Sequence, residues 1–376
     1  MPSQSSFAQS GFTPSGFIRS DRALVSPADL AACRALLRDG SRSFLLASRL
    51  LPQGVRDDAV ALYAFCRVAD DAIDHAGAGN SLAALDWLRE RLALAYAGRP
   101  MAIAADRALA DLVVRRGIPM ALPAALLEGF AWDAEGRRHQ ELSDVVAYAV
   151  RVAGSVGAMM ALLMDRREPE SVARACDLGV AMQLSNIARD VGEDARAGRL
   201  YLPLSWLREA GIDPDAWLAR PLFNDALASV VRRLLEVAEA LYWRADGGIA
   251  SLPLACRPGI QAARLLYAGI GHEVARHGFD SVADRAVVPI GRKLALLARG
   301  LAAAAAPLRA APLPAAGGAP LPEAAFLVAA VSETNSVGSH PHAAFVARSS
   351  PPRRVAWLIE LFTQLERRDQ LGRVEP

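Results

Sequence analysis

Two short stretches carry carboxylates at helical spacing among apolar neighbours. The first is Tyr63-Ala-Phe-Cys-Arg67-Val-Ala-Asp70-Asp71-Ala-Ile-Asp74, in which Tyr63, Arg67, Asp70 and Asp74 step by 4, 3 and 4. That spacing puts all four on one helix face. Asp70 and Asp74 then stand one turn apart, about 6 Å along the axis. The second is Gln183-Leu-Ser-Asn186-Ile-Ala-Arg189-Asp190-Val-Gly-Glu193-Asp194, where Gln183, Asn186, Asp190 and Asp194 step by 3, 4 and 4, with Glu193 close to the same face. Leu178, Val180, Met182, Leu184, Ile187 and Val191 surround it, so this helix is expected to be largely buried with one polar stripe.

Either stripe alone is as compatible with a solvated acidic face as with a site. Together they are not. A solvated face favours Glu with Lys at i,i+4, whereas these helices carry Asp, Asn and Gln, mediocre helix formers, amid apolar residues. Burying unpaired carboxylates is costly. Two such stripes are reasonable if they face each other across divalent cations. Hard oxygen donors without His or Cys point to Mg²⁺, with Mn²⁺ as the alternate, held by carboxylates and by substrate phosphates.

The elements that must position these residues read as helix after helix from about Ser26 to Ala302, rich in Ala, Leu and Arg. Helical periodicity covers Pro27–Leu37, Asp57–Ala76, Ser81–Ala97, Ala104–Arg115, Pro123–Glu135, Ser143–Met164, Glu170–Gly192, Asp225–Trp243 and Cys256–His277. Breakers are expected at Gly77-Ala-Gly-Asn80, Gly98-Arg-Pro100, Gly117-Ile-Pro119 and Gly247-Gly248, with Ser81 as an N-cap. Period-2 strand patterns are scarce, so an all-α fold is predicted. Residues 1–25 read as a flexible N-terminus, 26–302 as the all-α domain, 303–352 as an Ala/Pro-rich linker and 353–376 as an amphipathic helix and tail. Arg353, Arg354, Arg367 and Arg368 flank that last helix, whose apolar face serves either packing or contact with a membrane surface.

Composition narrows the classes further. Of 376 residues, 53% are hydrophobic and the net charge is +2, which excludes wholesale disorder and the basic stripe of a nucleic-acid-binding protein. Cys33, Cys66, Cys176 and Cys256 form no CxxC pair, so no disulfide framework or zinc ribbon is suggested, and a reducing cytoplasm is the expected compartment. No signal peptide is expected at the N-terminus, and the longest apolar runs, about 13 residues, fall short of a membrane span. The six His residues form no HExxH, and neither GxSxG nor a Walker pattern occurs.

The stretch Leu178-Gly179 through Gln183, Asn186-Ile187, Arg189-Asp190, Asp194, Arg199, Tyr201 and Pro203 resembles the long second signature of the squalene/phytoene synthase family at every fixed position. Tyr148-Ala-Val-Arg-Val152-Ala-Gly-Ser155-Val-Gly157 resembles the first signature, with Ser155 where an aliphatic residue or Thr is usual. Ser41-Arg42-Ser43-Phe44 and the Arg67, Asp70, Asp74 pattern also look like family motifs. The resemblance spans about residues 26–300. The run Arg257-Pro-Gly-Ile-Gln-Ala-Ala-Arg264 and the segment from Tyr267 to Val274 are most like the bacterial phytoene synthases of the family.

The resemblance implies an isoprenoid synthase helical bundle around a central cavity with both Asp motifs at its mouth. By position it implies Asp70, Asp74, Asn186, Asp190 and Asp194 as Mg²⁺ and diphosphate residues. Ser41, Arg42, Tyr63, Arg67, Arg189 and Arg285 are implied as substrate-diphosphate contacts, Phe44 as a cavity wall, and Tyr148, Gln183 and Tyr267 as residues near the reacting carbons. The implied activity is head-to-head condensation of two geranylgeranyl diphosphates, through prephytoene diphosphate, to phytoene and inorganic diphosphate. Alternatives are a C15-specific dehydrosqualene or squalene synthase acting on farnesyl diphosphate, and an inactive assembly subunit. No nucleic acid partner is expected. Peripheral membrane contact at the cytoplasmic face is expected because substrate tails and product are lipid-soluble, and other carotenoid-pathway enzymes are candidate partners.

Overall fold

A computed structural model describes residues 25–305 and 318–337. It is built from α1 (Pro27–Gly40), α2 (Arg42–Ser48), α3 (Gln53–Tyr96), α4 (Ala104–Arg116), α5 (Ala121–Ala134), α6 (Leu142–Ala149), α7 (Ser155–Leu163), α8 (Pro169–Arg196), α9 (Leu204–Glu209), α10 (Pro214–Ala219), α11 (Asp225–Ser251), α12 (Arg257–Arg276), α13 (Ile290–Ala305) and α14 (Ala325–Val337). A π turn, Val150–Gly154, joins α6 to α7. No strand occurs among the described residues, as the sequence predicts.

Local chemistry explains many boundaries. Ser26 and Asp29 form a reciprocal capping box at the start of α1, with Pro27 in its first turn. Asn224 caps α11 through Leu227 N–H. Gly117, at φ +53°, ends α4 in the left-handed region that suits a residue without a Cβ.

Two expected breaks do not occur. Helix α3 runs unbroken through Gly77–Asn80, so Ser81 lies inside it and is not a helix N-cap. Glycines weaken a helix by about 1 kcal/mol each, which the buried apolar flanks Ile73, Leu85 and Leu88 can outweigh. Helix α11 likewise runs through Gly247-Gly248 to Ser251. Gly248 is there for packing: a Cβ on it would lie 2.3 Å from Arg174 Cβ on α8.

Helix α8 is central, packing against α11, α7, the π turn, α12 and α14. Its approach to α7 and the π turn is nearly backbone to backbone. A Cβ on Gly157 would lie 2.2 Å from the Ala175 carbonyl oxygen, and one on Gly179 would lie 2.3 Å from that of Ala153. The run Leu142–Leu163 is long and apolar enough to cross a membrane by length and composition, contrary to expectation, but 67% of its most apolar window is buried inside the protein.

The expected linker also differs in part. Residues 325–337 form α14, with Leu327 and Val331 fully buried against the core. The sequence Ala325-Phe-Leu-Val-Ala-Ala-Val is apolar enough to dock, a signal that the flanking Ala/Pro/Gly composition masks. The N-terminal segment 1–24 and the expected terminal helix from 353 onward lie outside the described residues.

Candidate active site

A cavity of about 1280 Å³, including its open mouth, lies between α3, α8, α11, α12 and the π turn–α7 segment. Its wall is overwhelmingly apolar: Leu62, Val152, Val156, Met160, Leu178, Met182, Ile249 and Ile260 are among the residues that line it. Along α8 the lining runs from Ser171 to Asn186. The fifteen steps between these two residues span about 22 Å at 1.5 Å per residue.

Both striped helices are organised the same way. On α3 the wall residues Ala59, Leu62, Tyr63 and Cys66 precede Arg67 and Asp70. On α8 the wall residues Leu178, Met182, Gln183 and Asn186 precede Asp190 and Asp194. Each helix therefore leaves the cavity and continues directly into carboxylates. Ser41 and Phe44 of the α2 region join the same end of the wall, with the Phe44 and Tyr63 rings stacked at 5.4 Å. Tyr267 of α12 also lines the wall, in hydrogen-bond contact with Ser41, and burial raises its phenol above the usual range.

The carboxylates are unequally compensated. Arg67 holds Asp70 at 3.3 Å and Asp71 at 2.6 Å. Asp190 is taken by two guanidinium groups, with Arg189 at 2.5 Å and Arg285 at 2.8 Å. Their hydrogen bonds outweigh its burial and hold it below the ordinary carboxylate range. Asp194 has the opposite balance. Burial, then the charge of Asp190, push it up to about 7 despite Arg199, with Glu193 and Asp133 adding to the rise.

Arg285 reaches Asp190 because a loop crosses α8. Gly192 N–H donates to the Ser281 carbonyl at 2.8 Å, and a Cβ on Gly192 would lie 2.5 Å from the Val282 carbonyl oxygen. Asp280 caps that loop through the Val282 and Ala283 amides. Gly192 thus admits the backbone that delivers Arg285.

The structure brings together Ser41, Phe44, Tyr63, Gln183, Asn186 and Tyr267 in the cavity wall, and Arg189, Asp190 and Arg285 in one ion cluster. It does not place Tyr148 in the wall. Tyr148 is buried and its hydroxyl donates to Asp133 at 2.9 Å. Tyr148 precedes the π turn, and the lining from this segment begins at Val152 within that turn. The calls on the Arg42 and Asp74 side chains lie outside what the structure describes. Among the described residues no three His, Cys, Asp or Glu side chains are close enough to hold a metal ion by themselves.

Asp133 of α5 is the residue sequence reasoning missed. Burial raises its carboxyl to about 6; the Tyr201 and Tyr148 hydroxyls and Arg199 lower it, and the charge of Asp70 raises it. An aspartate in the last turn of the apolar helix Ala121–Ala134, whose one other carboxylate is Glu128, was the available signal. The donor chemistry suits a hard divalent cation. Among the described residues the mouth offers carboxylate and amide oxygens, and after burial the charge of Asp190 is the next cause that raises Asp194.

Comparison with known proteins gives a consistent result. The family described as squalene/phytoene synthase matches residues 37–316. A phytoene synthase of Rhodobacter capsulatus is 53% identical over 83% of this chain and 92% of its own length. One of Cereibacter sphaeroides is 50% identical over 92% of this chain and 96% of its own. Among solved structures, a dehydrosqualene synthase in complex with ligand superposes with a TM-score of 0.68 at 31% identity, covering 73% of this chain and 96% of that one.

Proposed function

Given that the chain belongs to the squalene/phytoene synthase family and has phytoene synthase function in carotenoid biosynthesis, we propose that its cavity condenses two geranylgeranyl diphosphates head to head, with Mg²⁺ at the mouth. The observation that carries the substrate choice is cavity length. An extended chain advances about 1.25 Å per carbon for bonds of about 1.5 Å, so the 16-carbon main chain of a geranylgeranyl group needs about 20 Å and a 12-carbon farnesyl group about 15 Å. The wall from Asn186 to Ser171 accommodates the longer tail.

Asp70 and Asp74 from α3, with Asn186, Asp190 and Asp194 from α8, are the residues suited to hold Mg²⁺. When bound, the ion stabilises the charge that develops on a departing diphosphate. The chain's own cations serve the same end. Arg67, Arg189 and Arg285 lie at the mouth, now paired with carboxylates, and a diphosphate offers them equivalent oxygen acceptors. Ionisation of the first allylic diphosphate leaves a carbocation that the double bond of the second substrate attacks, and loss of a proton closes the three-membered ring, giving a cyclopropylcarbinyl diphosphate and the first inorganic diphosphate. A second ionisation, rearrangement and loss of a proton give the conjugated triene. Both protons pass to released diphosphate, and the neutral wall hydroxyls of Tyr63 and Tyr267 are placed to relay them. Water would quench the cations, and the apolar wall excludes it.

Incubation of the purified chain with Mg²⁺ and geranylgeranyl diphosphate, without nicotinamide, tests this reading. A hexane-soluble C40 triene, abolished by EDTA, is expected. No hydrocarbon, or one formed only when nicotinamide is added, would refute it.

A further inference from the structure

Asp133 belongs to neither acidic stripe, yet several features converge on it. It accepts the Tyr148 hydroxyl at 2.9 Å on one oxygen and the Tyr201 hydroxyl at 2.6 Å on the other. The two phenol rings stack, 5.1 Å between centroids and 20° apart in plane. After burial, the charge of Asp70 adds to the rise of its carboxyl, and its own charge adds to that of Asp194, so it is electrostatically coupled to one residue of each stripe. The three residues come from three separate places: Asp133 from α5, Tyr148 from α6 just before the π turn, and Tyr201 from the connection after α8. The trio therefore ties the start of the cavity wall to the end of the second stripe.

A structural role alone does not require a charge here. Asn could receive one hydroxyl and would add no repulsion to a mouth already rich in carboxylates. A carboxylate that takes two phenol donors makes stronger, charge-assisted bonds and keeps its charge in place. We propose that Asp133 is a positioning residue for the condensation: it fixes Tyr148 and Tyr201, and with them the facing of the two stripes, and it adds a fixed negative charge to the mouth's attraction for a divalent cation. This rests on the reaction proposed above.

Three variants test it: Asp133→Asn, Tyr201→Phe and the double variant. Each is measured for melting temperature, for kcat and KM with geranylgeranyl diphosphate, and, by calorimetry, for the Mg²⁺ concentration that half-saturates binding of inorganic diphosphate. Asp133→Asn is expected to lower kcat about tenfold or more, the scale of a hydrogen bond to a charged group, with KM changed less than about threefold. It should also need about fivefold more Mg²⁺ for diphosphate binding, as loss of one nearby charge implies. Tyr201→Phe should lower kcat without moving the Mg²⁺ requirement, and the double variant should match Asp133→Asn, because the tyrosine acts through the carboxylate.

A residue that only supports the fold would lower the melting temperature and leave the Mg²⁺ requirement in place. An Asp133→Asn variant within twofold of the unaltered chain in Mg²⁺ requirement, or additive losses in the double variant, would overturn the proposal. So would absence of Mg²⁺-dependent diphosphate binding by the unaltered chain. If the unaltered chain binds diphosphate with Mg²⁺ but makes no phytoene, the reaction reading fails, and the binding comparison still decides whether Asp133 contributes its charge.

Discussion

Asp190 shows how one residue can hold a site in a resting arrangement. It pairs with both Arg189 and Arg285, the latter shared with Glu193 at 3.2 Å, so the mouth keeps two guanidinium groups in place until an anion competes for them. Asp190→Ala is expected to reduce turnover by at least about a thousandfold, since it removes an oxygen proposed above to hold Mg²⁺ and unsettles two cations at once. The melting temperature should change by no more than a few degrees, because the side chain lies at the mouth and not in the core. Product assay and thermal melting check both halves. His139 supports a different prediction. Its ring is buried beside Tyr148 and Tyr201, and burial lowers its pKa to about 4. The unfolded chain then binds a proton that the fold does not, from about pH 6.5 down to about 4, so the His139 contribution to stability falls as pH drops through that window. Asp133 and Asp194, with raised pKa values, act in the opposite sense over the same range, so the His139 contribution is read as a difference: in urea unfolding at pH 7, 5.5 and 4.5, His139→Phe should gain stability relative to the unaltered chain as pH falls. Residue types and spacing made the second stripe legible in the sequence. Asp133 was not legible, because its importance comes from two tyrosines 15 and 68 positions away.

Among the elements, α8 and the segment from Leu142 to Leu163 do most of the positioning, and glycines govern how closely they meet. Gly157 and Gly179 leave no room for a methyl group against facing carbonyls. Gly179→Ala should therefore destabilise the fold by about 1–3 kcal/mol, the range for overpacking, measurable by denaturant titration. Gly192 makes a more discriminating case. Alanine there would press on the Ser281–Val282 backbone and move the loop that presents Arg285. We expect Gly192→Ala to weaken diphosphate binding about tenfold, as loss of one charge-assisted contact would, while Arg285→Ala shows a similar loss and the double variant little more. Additive losses would disconnect the glycine from the arginine. Helix existence and type followed from composition and periodicity for α1, α3 to α8, α11 and α12, whereas α2, α9, α10 and α13 were not among the expected helices. The continuity of α3 and α11 did not, because a glycine pair reads as a break in a single chain and only a neighbouring helix shows why it is there. Helix α14 was hidden in a similar way, since its docking surface is made by α8 and α5.

At the scale of the whole molecule, the bundle combines a long apolar cavity with a charged mouth, and the two ends answer different questions. The mouth sets whether diphosphate leaves. The depth sets which tail fits. Ala175 lines the wall eleven residues from Asn186 along α8, about 16 Å at helical rise, just beyond the reach of a farnesyl chain. Ala175→Phe should cut kcat/KM for geranylgeranyl diphosphate by about tenfold or more relative to farnesyl diphosphate, the scale of discrimination a pocket obtains from bulk. Equal losses for both substrates would mean that the tail does not run along α8. Fold class and both striped faces could be read from the chain, whereas depth could not, because it is a distance between helices far apart in sequence. One measurement bears most directly on the central claim that this cavity joins two C20 chains without a reductant. The unaltered chain is given equimolar farnesyl and geranylgeranyl diphosphates with Mg²⁺ and no nicotinamide, and the hydrocarbons are resolved by length. The structure predicts that the C40 triene dominates, with C30 product minor. A predominance of C30 product would contradict it.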